Sequence, residues 1–438
     1  MAMKTYKEIF KQKIASTKVN LTKQTEAVCD LTNSSGAYCR VFNGGSWGMA
    51  HGEDLTKSGI SALEAQARHD IGRTGLPSQP NKMLCLTRGR DREIIIPDTP
   101  NQSEARLREI CQSIGDYLNA NCPNLETWKI SAGERWIEKH LNVTTTRSKL
   151  HLLVPETVLQ FKLTVGGHTL EESVGSVLPS DLRQDVICAS LLSLYEHMQH
   201  KANTIPPEKG RFTCVIAPQM VSKILELTIG YHARADIMQE CFPHGVFLRI
   251  PSLSPKLTIM DYANCYFNGQ CPFPVFMDDE GADAYNVYLI NRGQMDLCMT
   301  NRETAGTMEM PLTGNARTGS YKSAPRIHPR NLAVMPWNVP NSNIIASVED
   351  GYYLIDGNNC KWNRDGRFTL NATIGYRIKN GKVCESIMGA EVGGTTLDFL
   401  KSISTISGDF KWCFNGNMDD DIKSSVGTPT IKACLDIM

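Results

Sequence analysis

The chain has 438 residues, of which 41% are apolar and 21% are charged, and this ordinary globular composition excludes intrinsic disorder and fibrous repeats. Its 46 lysines and arginines balance 46 aspartates and glutamates, so it lacks the basic excess that favours binding to nucleic-acid phosphates. No uncharged apolar run reaches the roughly 18 to 20 residues that a membrane-spanning helix needs, so we expect no membrane segment.

Lysines are spread among apolar residues at the start of the chain. Residues 6–16 are predicted to form an amphipathic helix, with Ile9, Phe10 and Ile14 on one side. This segment lacks the continuous apolar core of an export signal. The fifteen cysteines are an odd number and include no C-x-x-C pair, which favours reduced thiols over a disulfide framework. These features together predict a cytoplasmic protein.

Strands are predicted next. Short strands at residues 27–32 and 37–42 are separated by a predicted Asn-Ser-Ser-Gly turn at residues 33–36. Alternating apolar residues predict a strand meander over residues 128–165.

Three helices are also expected in the first half. They cover residues 55–71, 103–122 and 181–201, and in the second of them apolar residues recur at spacings of three and four. Ser103 is a candidate cap for that second helix. The buried face of the third helix is predicted to contain Val186, Ile187, Leu191, Leu194 and Met198.

A composition shift at residues 201–210, which contain two prolines and a glycine, predicts a domain boundary. After a short helix at residues 220–230, the chain is dominated by strand-like runs with Gly-, Asn- and Asp-rich turns. The expected strands cover residues 212–216, 246–250, 285–290, 352–355, 368–378 and 429–437. We therefore predict an α+β protein with an N-terminal mixed α/β domain (1–205) and a C-terminal β-rich domain of mixed and antiparallel sheets (206–438).

Three short motifs resemble catalytic signatures. Residues 44–48 match G-x-S-x-G, but strand-like residues follow where a nucleophile elbow needs a helix, so a hairpin turn is favoured. Residues 314–319 have the spacing of a phosphate loop, but Ser320 and Tyr321 replace its Lys-Ser/Thr pair. His197 and His200 could share a metal, but we expect them to face outward and see no third ligand.

Charged residues cluster in two acidic stretches and in one basic loop. The acidic clusters at residues 278–280 and 419–421 lack EF-hand spacing and are interpreted as exposed turns. The loop at residues 311–330 is either a binding element for carboxylates or phosphates or a solvated connector, and both remain open. Its basic residues are Arg317, Lys322, Arg326, His328 and Arg330.

Taken in order, several stretches of the second half resemble the TldD/PmbA family, proteins named as modulators of DNA gyrase that include the TldD–TldE peptidase pair. They are residues 210–216, 278–281, 285–287, the T-G-N-x-R-like loop at 313–317, 375–382 and 427–430. The likeness covers most of residues 206–438 and, more thinly, residues 37–205. It implies a two-domain fold of the family and a dimeric assembly.

In the family's peptidase member, a helix carries H-E-x-x-x-H, a later cysteine completes a zinc site, and the glutamate serves as general base. Residues five apart lie about 140° apart on a regular helix, so such a site needs distorted winding. The resemblance places Glu226 and Tyr231 at the two histidines, Leu227 at the glutamate and Asn415 at the cysteine, two residues from Cys413. All four positions are changed, so we expect no intact catalytic residue, no metal and no other cofactor.

The resemblance thus implies the non-catalytic TldE/PmbA-type branch, which would bind a peptide or protein substrate or pair with a TldD-like homologue as a homo- or heterodimer. The peptide-binding candidates are Arg317, Tyr321, Arg326, Asn315 and His232.

Two alternatives to this role remain open. One is an active metallopeptidase with an altered ligand set, in which Glu226 and His232 would hold zinc with Asp236 or His244 nearby. The other is a gyrase- or DNA-associated modulator, which rests on the family's name and gains no support from the net charge.

Overall fold

The computed structural model describes residues 5–43, 45–71, 83–96, 103–177, 179–199, 204–241, 253–267, 269–387, 389–416 and 418–438. A seven-stranded sheet dominates the first half. Its strands are β1 (Tyr6–Thr22), β2 (Thr25–Asn43), β3 (Ser46–Gly52), β4 (Asp91–Ile95), β5 (Thr127–Val143), β6 (Ser148–Val165) and β7 (His168–Ser176). They are hydrogen-bonded in the order β3-β2-β1-β5-β6-β4, with β7 also paired to β6. The predicted meander over residues 128–165 is confirmed as the β5–β6 hairpin.

The first strand shows that the helix predicted at residues 6–16 is wrong. Tyr6, Glu8, Phe10 and Gln12 are buried in alternation with more accessible residues, which is the period of a strand. Two of these buried residues are polar, and the Glu8 carboxylate is held 2.6 Å from the Arg40 guanidinium on β2. The two-residue period is not visible from the apolar residues alone, because the buried face of the strand also includes polar residues.

The turn predicted at residues 33–36 is also wrong, because β2 runs through it without interruption and pairs with β1 throughout. Gly36 serves a different purpose there. A Cβ atom added at Gly36 would lie 2.3 Å from the ring of Tyr321, so the glycine lets that ring pack against the strand. The predicted turn at residues 44–48 is confirmed over its described residues, since Asn43 pairs with Ser46 and Gly45 has φ +91°.

The three predicted helices of the first half are confirmed as α1 (Lys57–His69), α2 (Ser103–Asn121) and α3 (Gln184–Gln199), with a 3₁₀ turn at Pro179–Asp181. At the start of α2, the Ser103 hydroxyl donates to the Glu134 carboxylate. On α3, Ile187, Leu191 and Met198 are buried as predicted, but Val186 is half exposed. The buried face includes Tyr195 instead, whose hydroxyl accepts from the backbone N–H of Asn124.

In its described residues, the second half contains two larger sheets and five short α-helices. Its first strands are β8 (Thr204–Ile205), β9 (Gly210–Ile216), β10 (Ile259–Tyr262), β11 (Cys265–Tyr266), β12 (Gly269–Gln270), β13 (Val287–Asn291), β14 (Gln294–Met295), β15 (Ala316–Arg317), β16 (Arg326–Ile327) and β17 (Asn331–Val334). The remaining strands are β18 (Asp350–Trp362), β19 (Arg367–Lys379), β20 (Lys382–Ile387), β21 (Ala390–Thr395), β22 (Thr405–Ile406), β23 (Lys411–Cys413), β24 (Ser425–Thr428) and β25 (Ile431–Ile437). The helices are α4 (Pro218–Leu225), α5 (Ala235–Cys241), α6 (Arg302–Thr307), α7 (Asn341–Ala346) and α8 (Thr396–Ser402).

The larger of these sheets follows the order β18-β9-β25-β21-β19-β20-β8, with β22 paired to β25. β18 also pairs with β19. Five strands of this sheet, β18, β9, β25, β21 and β19, therefore form a closed ring of pairings. The other sheet follows the order β14-β13-β10-β17-β24-β23. The predicted α+β class, with a mixed first half and a β-rich second half, is therefore confirmed, while the strand predicted at residues 246–250 lies outside the described residues.

The acidic cluster at residues 278–280 is buried, so its interpretation as an exposed turn is wrong. Asp278 accepts from the backbone N–H groups of Glu280, Ala282 and Ala316. Arg40 from β2 lies 2.5 Å from the Glu280 carboxylate. Ala316 and Arg40 come from distant parts of the chain, so the local sequence alone could assign these carboxyl groups only to the surface. The cluster at residues 419–421 is exposed, as predicted.

The two halves of the molecule share an apolar core. Side chains of α2 and α3 and of the first sheet pack in one cluster with Ala217, Ile355, Ile374 and Tyr376 of the second half. The cysteines whose side chains the structure describes are free thiols. Among the described residues, no helix has both the length and the apolar character that crossing a bilayer requires. The domain boundary at residues 205/206 stays a prediction.

Candidate functional site

A cavity of about 870 Å³ opens between the two halves. One wall comes from β6, β7 and α3 of the first half. The other comes from α4, β18, β23 and the loop after β23. The four positions that the family resemblance singled out, Glu226, Leu227, Tyr231 and Asn415, all line this cavity.

The helix that carries three of these residues changes its winding at the cavity. After α4, residues Glu226–Gly230 form a π-helical turn. The Thr228 hydroxyl donates to the carbonyl of Ile224, a side-chain contact that competes with regular α-helical bonding. A π turn closes i→i+5 hydrogen bonds and brings residues five apart toward one face. This winding allows both Glu226 and Tyr231 to face the cavity.

A hydrogen-bonded chain occupies the cavity floor. The Ser222 hydroxyl lies 3.0 Å from Oδ1 of Asn415, whose Nδ2 donates to Oε2 of Glu226 at 3.0 Å. Enclosure by protein raises the pKa of Glu226, against the hydrogen bond from Asn415, which lowers it. Burial also raises the pKa of Cys413, so its thiol is uncharged at neutral pH. We call Ser222, Cys413, Asn415 and Glu226 the cavity floor. The floor therefore has one carboxyl group, that of Glu226, and no thiolate.

Apolar and aromatic groups line the cavity together with Glu226. Leu227 is partly buried against the core of the second half. The Tyr231 ring lies 3.6 Å from the Trp362 ring, centroid to centroid, and the Arg234 guanidinium lies 5.4 Å from its centre. Tyr231 is therefore held as part of an aromatic wall.

Paired charges line the rim of the cavity. Lys223 donates to Asp356 at 2.5 Å and to the carbonyl of Gly357 at 2.6 Å. Lys411 lies 2.9 Å from Glu172 on β7 and so joins the second half to the first. Burial would lower the pKa of Lys411, but Glu172 outweighs it and the pKa is raised. The Lys411 ammonium is therefore retained at neutral pH.

The donor set at the floor does not fit a zinc ion. A zinc site of this kind needs several His, Cys or carboxylate ligands converging on one point. Here Asn415 uses its amide to donate to Glu226, and Leu227 has no group that could accept a proton. Among the described residues, no three His, Cys, Asp or Glu side chains converge at the floor within metal-binding distance of one another.

The altered ligand set is not assembled in the cavity either. His232 is 1% exposed and its Nδ1 donates to the Thr228 carbonyl at 2.9 Å, within its own helix. Asp236 is ion-paired with Arg234 at 2.6 Å. His244 lies outside the described residues.

None of the five predicted peptide-binding residues is part of the cavity lining. Arg317 donates to the Lys423 carbonyl at 2.6 Å and pairs across the β15–β16 ladder with the exposed Arg326. Asn315 is buried and donates to Asp261. Tyr321 is 4% exposed, and its hydroxyl lies 3.1 Å from a Glu53 oxygen. The structure does not bring these four residues and His232 together on one surface. A role for the five residues in peptide binding stays a prediction.

The loop at residues 311–330 packs between the two halves, so the solvated-connector interpretation is wrong. Arg330 is fully buried against Asp261, and Gln12 of β1 donates to the Gly319 carbonyl. Tyr321 covers Gly36 of β2.

Other cavity residues were missed by sequence reasoning. His197 was expected to face outward, but it lines the cavity and its Nδ1 lies 2.8 Å from the Tyr376 hydroxyl. His328 also lines the cavity, and burial, with Arg317 nearby, lowers its pKa to about 4. The position of His197 on α3 could have indicated that it lines the cavity. Lys411 and Glu172 are 239 residues apart, so local sequence cannot predict that they pair.

Comparison with known proteins gives a family match over the second half. Residues 209–434 match the model of the PmbA/TldA metallopeptidase C-terminal domain. This match contains the π turn, Asn415 and most of the two larger sheets of the second half, but not β8.

Individual relatives extend the similarity to the whole chain. A zinc metalloprotease TldD homolog from Saccharolobus solfataricus is 22% identical over 98% of this chain and 95% of its own length. A metalloprotease from Synechocystis sp. is 29% identical over 49% of this chain and 46% of its own. TldE from Thermococcus kodakarensis has the same fold, with a TM-score of 0.73 and 14% identity over 98% of this chain and 96% of its own. A candidate modulator of a DNA gyrase from Thermotoga maritima has a TM-score of 0.75 and 14% identity over 99% and 96%.

Proposed function

Because this chain belongs to the PmbA/TldD metallopeptidase family, we propose that it is a non-catalytic, peptide-binding subunit of a cytoplasmic proteolytic system. The observation that carries the proposal is the cavity floor. The four positions assigned to the family's zinc site all line the cavity, but a Glu226–Asn415 hydrogen bond at the floor and the Leu227 side chain stand in place of the metal-binding and proton-transferring groups. The cleft is kept while the groups that activate water are lost.

Open strand edges at the cavity favour a peptide as the ligand. β18 pairs with β9 only through its first residues, so its segment 355–362 has no strand partner on that side among the described residues. Asn358, Asn359 and Cys360 of this segment are exposed and line the cavity. On the opposite wall, β7 pairs only with β6 within the described part of the chain. An extended peptide can hydrogen-bond to such edges through its backbone.

Peptide binding can be tested by filling the floor. The substitution Asn415→Trp places a large ring beside Glu226 and is expected to weaken binding of labelled casein-digest peptides at least about tenfold, measured by fluorescence anisotropy. Val383→Trp is the matched control, because Val383 lies on β20, is 43% exposed and does not line the cavity. Equal affinity of the two variants and the native chain would contradict a peptide site in this cavity.

Catalysis and partnership need separate measurements. The purified chain is expected to cleave none of these peptides, with or without added zinc chloride. A complex with a zinc-bearing TldD-like homologue encoded in the same genome is expected on co-expression, and multi-angle light scattering would show whether it is a heterodimer. Cleavage by the chain alone, removed by Glu226→Ala, would refute the non-catalytic assignment.

A further inference from the structure

A second group of metal-binding side chains lies on the solvent face of the first sheet, away from the cavity. His140 on β5 and His151 on β6 are directly opposite each other in the antiparallel ladder. Glu138 lies two residues before His140 and therefore on the same face. One ligand atom from each of Glu138, His140 and His151 lies within 4.8 Å of the other two.

The sheet fixes the arrangement of these groups. The two imidazole rings are stacked with their centroids 4.3 Å apart and an angle of 14° between their planes. His140 Nε2 lies 2.8 Å from a Glu138 oxygen, and His151 Nδ1 lies 3.1 Å from a Glu93 oxygen on β4. β4 pairs with β6 so that Glu93 is level with His151. Three adjacent strands thus place two imidazoles and two carboxylates together.

Neighbouring residues hold the face in place without closing it. Lys139 and Leu141, which alternate with these ligands on β5, point to the other side, where Lys139 is paired with Asp279 at 3.0 Å and Leu141 is buried. The side chains of Glu138, His140 and His151 are 29%, 46% and 34% exposed, so an ion can reach them from solvent. Lys13 lies 3.4 Å from Glu138 and is 61% exposed, so its ammonium can swing away.

We propose that Glu138, His140 and His151 form a binding site for a divalent transition metal of the zinc class, with Glu93 able to supply a fourth ligand. Two imidazole nitrogens with one or two carboxylate oxygens suit zinc, nickel or copper, whereas calcium and magnesium prefer oxygen ligands alone. Tetrahedral ligands at roughly 2.0 Å from zinc lie about 3.3 Å apart. Small rotations of these accessible side chains reach that spacing from the observed one. None of the four residues is part of the cavity lining, so the site is separate from the cavity.

Titration of the full chain with zinc chloride or cobalt chloride tests the site. The native chain is expected to bind one equivalent of cobalt with visible absorption bands of a four- or five-coordinate ion, and zinc is expected to displace it. His140→Ala and His151→Ala are each expected to weaken zinc binding at least about thirtyfold, because each removes one of three ligands. His168→Ala is the matched control, since His168 is an exposed histidine of the same sheet that is not part of the group.

The result is decisive in either direction. Loss of the cobalt spectrum in both single variants, with unchanged thermal unfolding and an unchanged spectrum in His168→Ala, supports the site. A spectrum and zinc affinity that survive both His140→Ala and His151→Ala would overturn it. If one alanine variant fails to fold, His140→Gln provides the same test, because it keeps the side-chain volume and removes the ligating imidazole.

Discussion

At the scale of single residues, Leu227 is the residue on which the proposed loss of hydrolytic chemistry in the cavity most depends. It lies where the family resemblance places the general base, and an aliphatic side chain cannot accept a proton from water. Glu226 has a raised pKa, but its hydrogen bond to Asn415 ties one oxygen to an amide instead of a metal. The proposed loss of zinc chemistry therefore rests on the residue identities at these positions and not on the backbone.

Gly36 gives a residue-scale prediction about the contact between the two halves. Gly36→Ala would place a Cβ 2.3 Å from the Tyr321 ring and is expected to destabilise the protein by about 1 to 3 kcal/mol. In a Tyr321→Ala background the same alanine has no ring to displace, so its cost is expected to fall by more than half. Urea denaturation of the four proteins of this double-mutant cycle measures the coupling.

The control for this cycle is Gly389→Ala, whose added Cβ would meet only the Ala372 carbonyl at 3.5 Å, an ordinary contact. Equal destabilisation by Gly36→Ala in the presence and absence of Tyr321 would show that the clash is not with this ring.

His328 gives a prediction about pH. An unfolded histidine takes up a proton near pH 6.5, whereas burial lowers the pKa of folded His328 to about 4. Between these values the unfolded chain binds more protons, so stability falls as the pH drops, by at most about 1.4 kcal/mol per pH unit. His328→Asn removes this contribution and is expected to lose less stability between pH 7 and pH 5 than the native chain.

Urea unfolding at the two pH values measures this difference, with His168→Asn as the exposed control. Parallel losses of stability in the native chain and in His328→Asn would mean that the folded His328 titrates normally.

At the scale of secondary-structure elements, the π turn at Glu226–Gly230 links the sequence to the site. Spacing alone indicated that residues 226 and 231 could share a face only if the helix were distorted. The structure contains that distortion, although neither residue is a histidine here. The Thr228 hydroxyl, which donates to the Ile224 carbonyl, supports this winding locally.

This retained winding predicts that a zinc site can be restored. The substitutions Glu226→His, Leu227→Glu, Tyr231→His and Asn415→Cys, made together, are expected to give near-stoichiometric zinc binding at the cavity floor. The surface histidines should first be removed by His140→Ala and His151→Ala, so that zinc bound there is not counted. Elemental analysis and a cobalt spectrum with thiolate charge-transfer bands measure the result.

The matched control for this restoration carries only Leu227→Glu and Asn415→Cys, and it is expected to bind no zinc at the floor. If the fourfold variant folds but also remains free of zinc, the four positions are not within reach of one ion.

Elements were predictable from sequence where a single period was visible. The 3.6-residue pattern of α2 and the alternation in β5 and β6 gave correct assignments. β1 was misassigned because its buried face includes Glu8 and Gln12, whose partners lie far along the chain. The cavity rim could not be predicted, because pairs such as Lys411 and Glu172 depend on how the halves pack.

At the scale of the whole molecule, the cavity exists because the two halves pack together. Lys411 and Glu172 join its walls, and Tyr321 anchors the second half against the first sheet. The family resemblance singled out Glu226, Leu227, Tyr231 and Asn415, and all four line one cavity. It did not predict the surface histidine pair, which lies on a face of the first half that the resemblance covers only thinly.

Zinc content measured on the double variant His140→Ala/His151→Ala, purified from zinc-supplemented cells, is the most direct test of the proposed non-catalytic cavity. Removing the surface histidines ensures that any remaining tightly bound zinc reports on the rest of the chain. The donor set at the floor predicts essentially no zinc per chain by elemental analysis, and no change on further substitution of Glu226 by alanine. Near-stoichiometric zinc that disappears with Glu226→Ala would contradict the account.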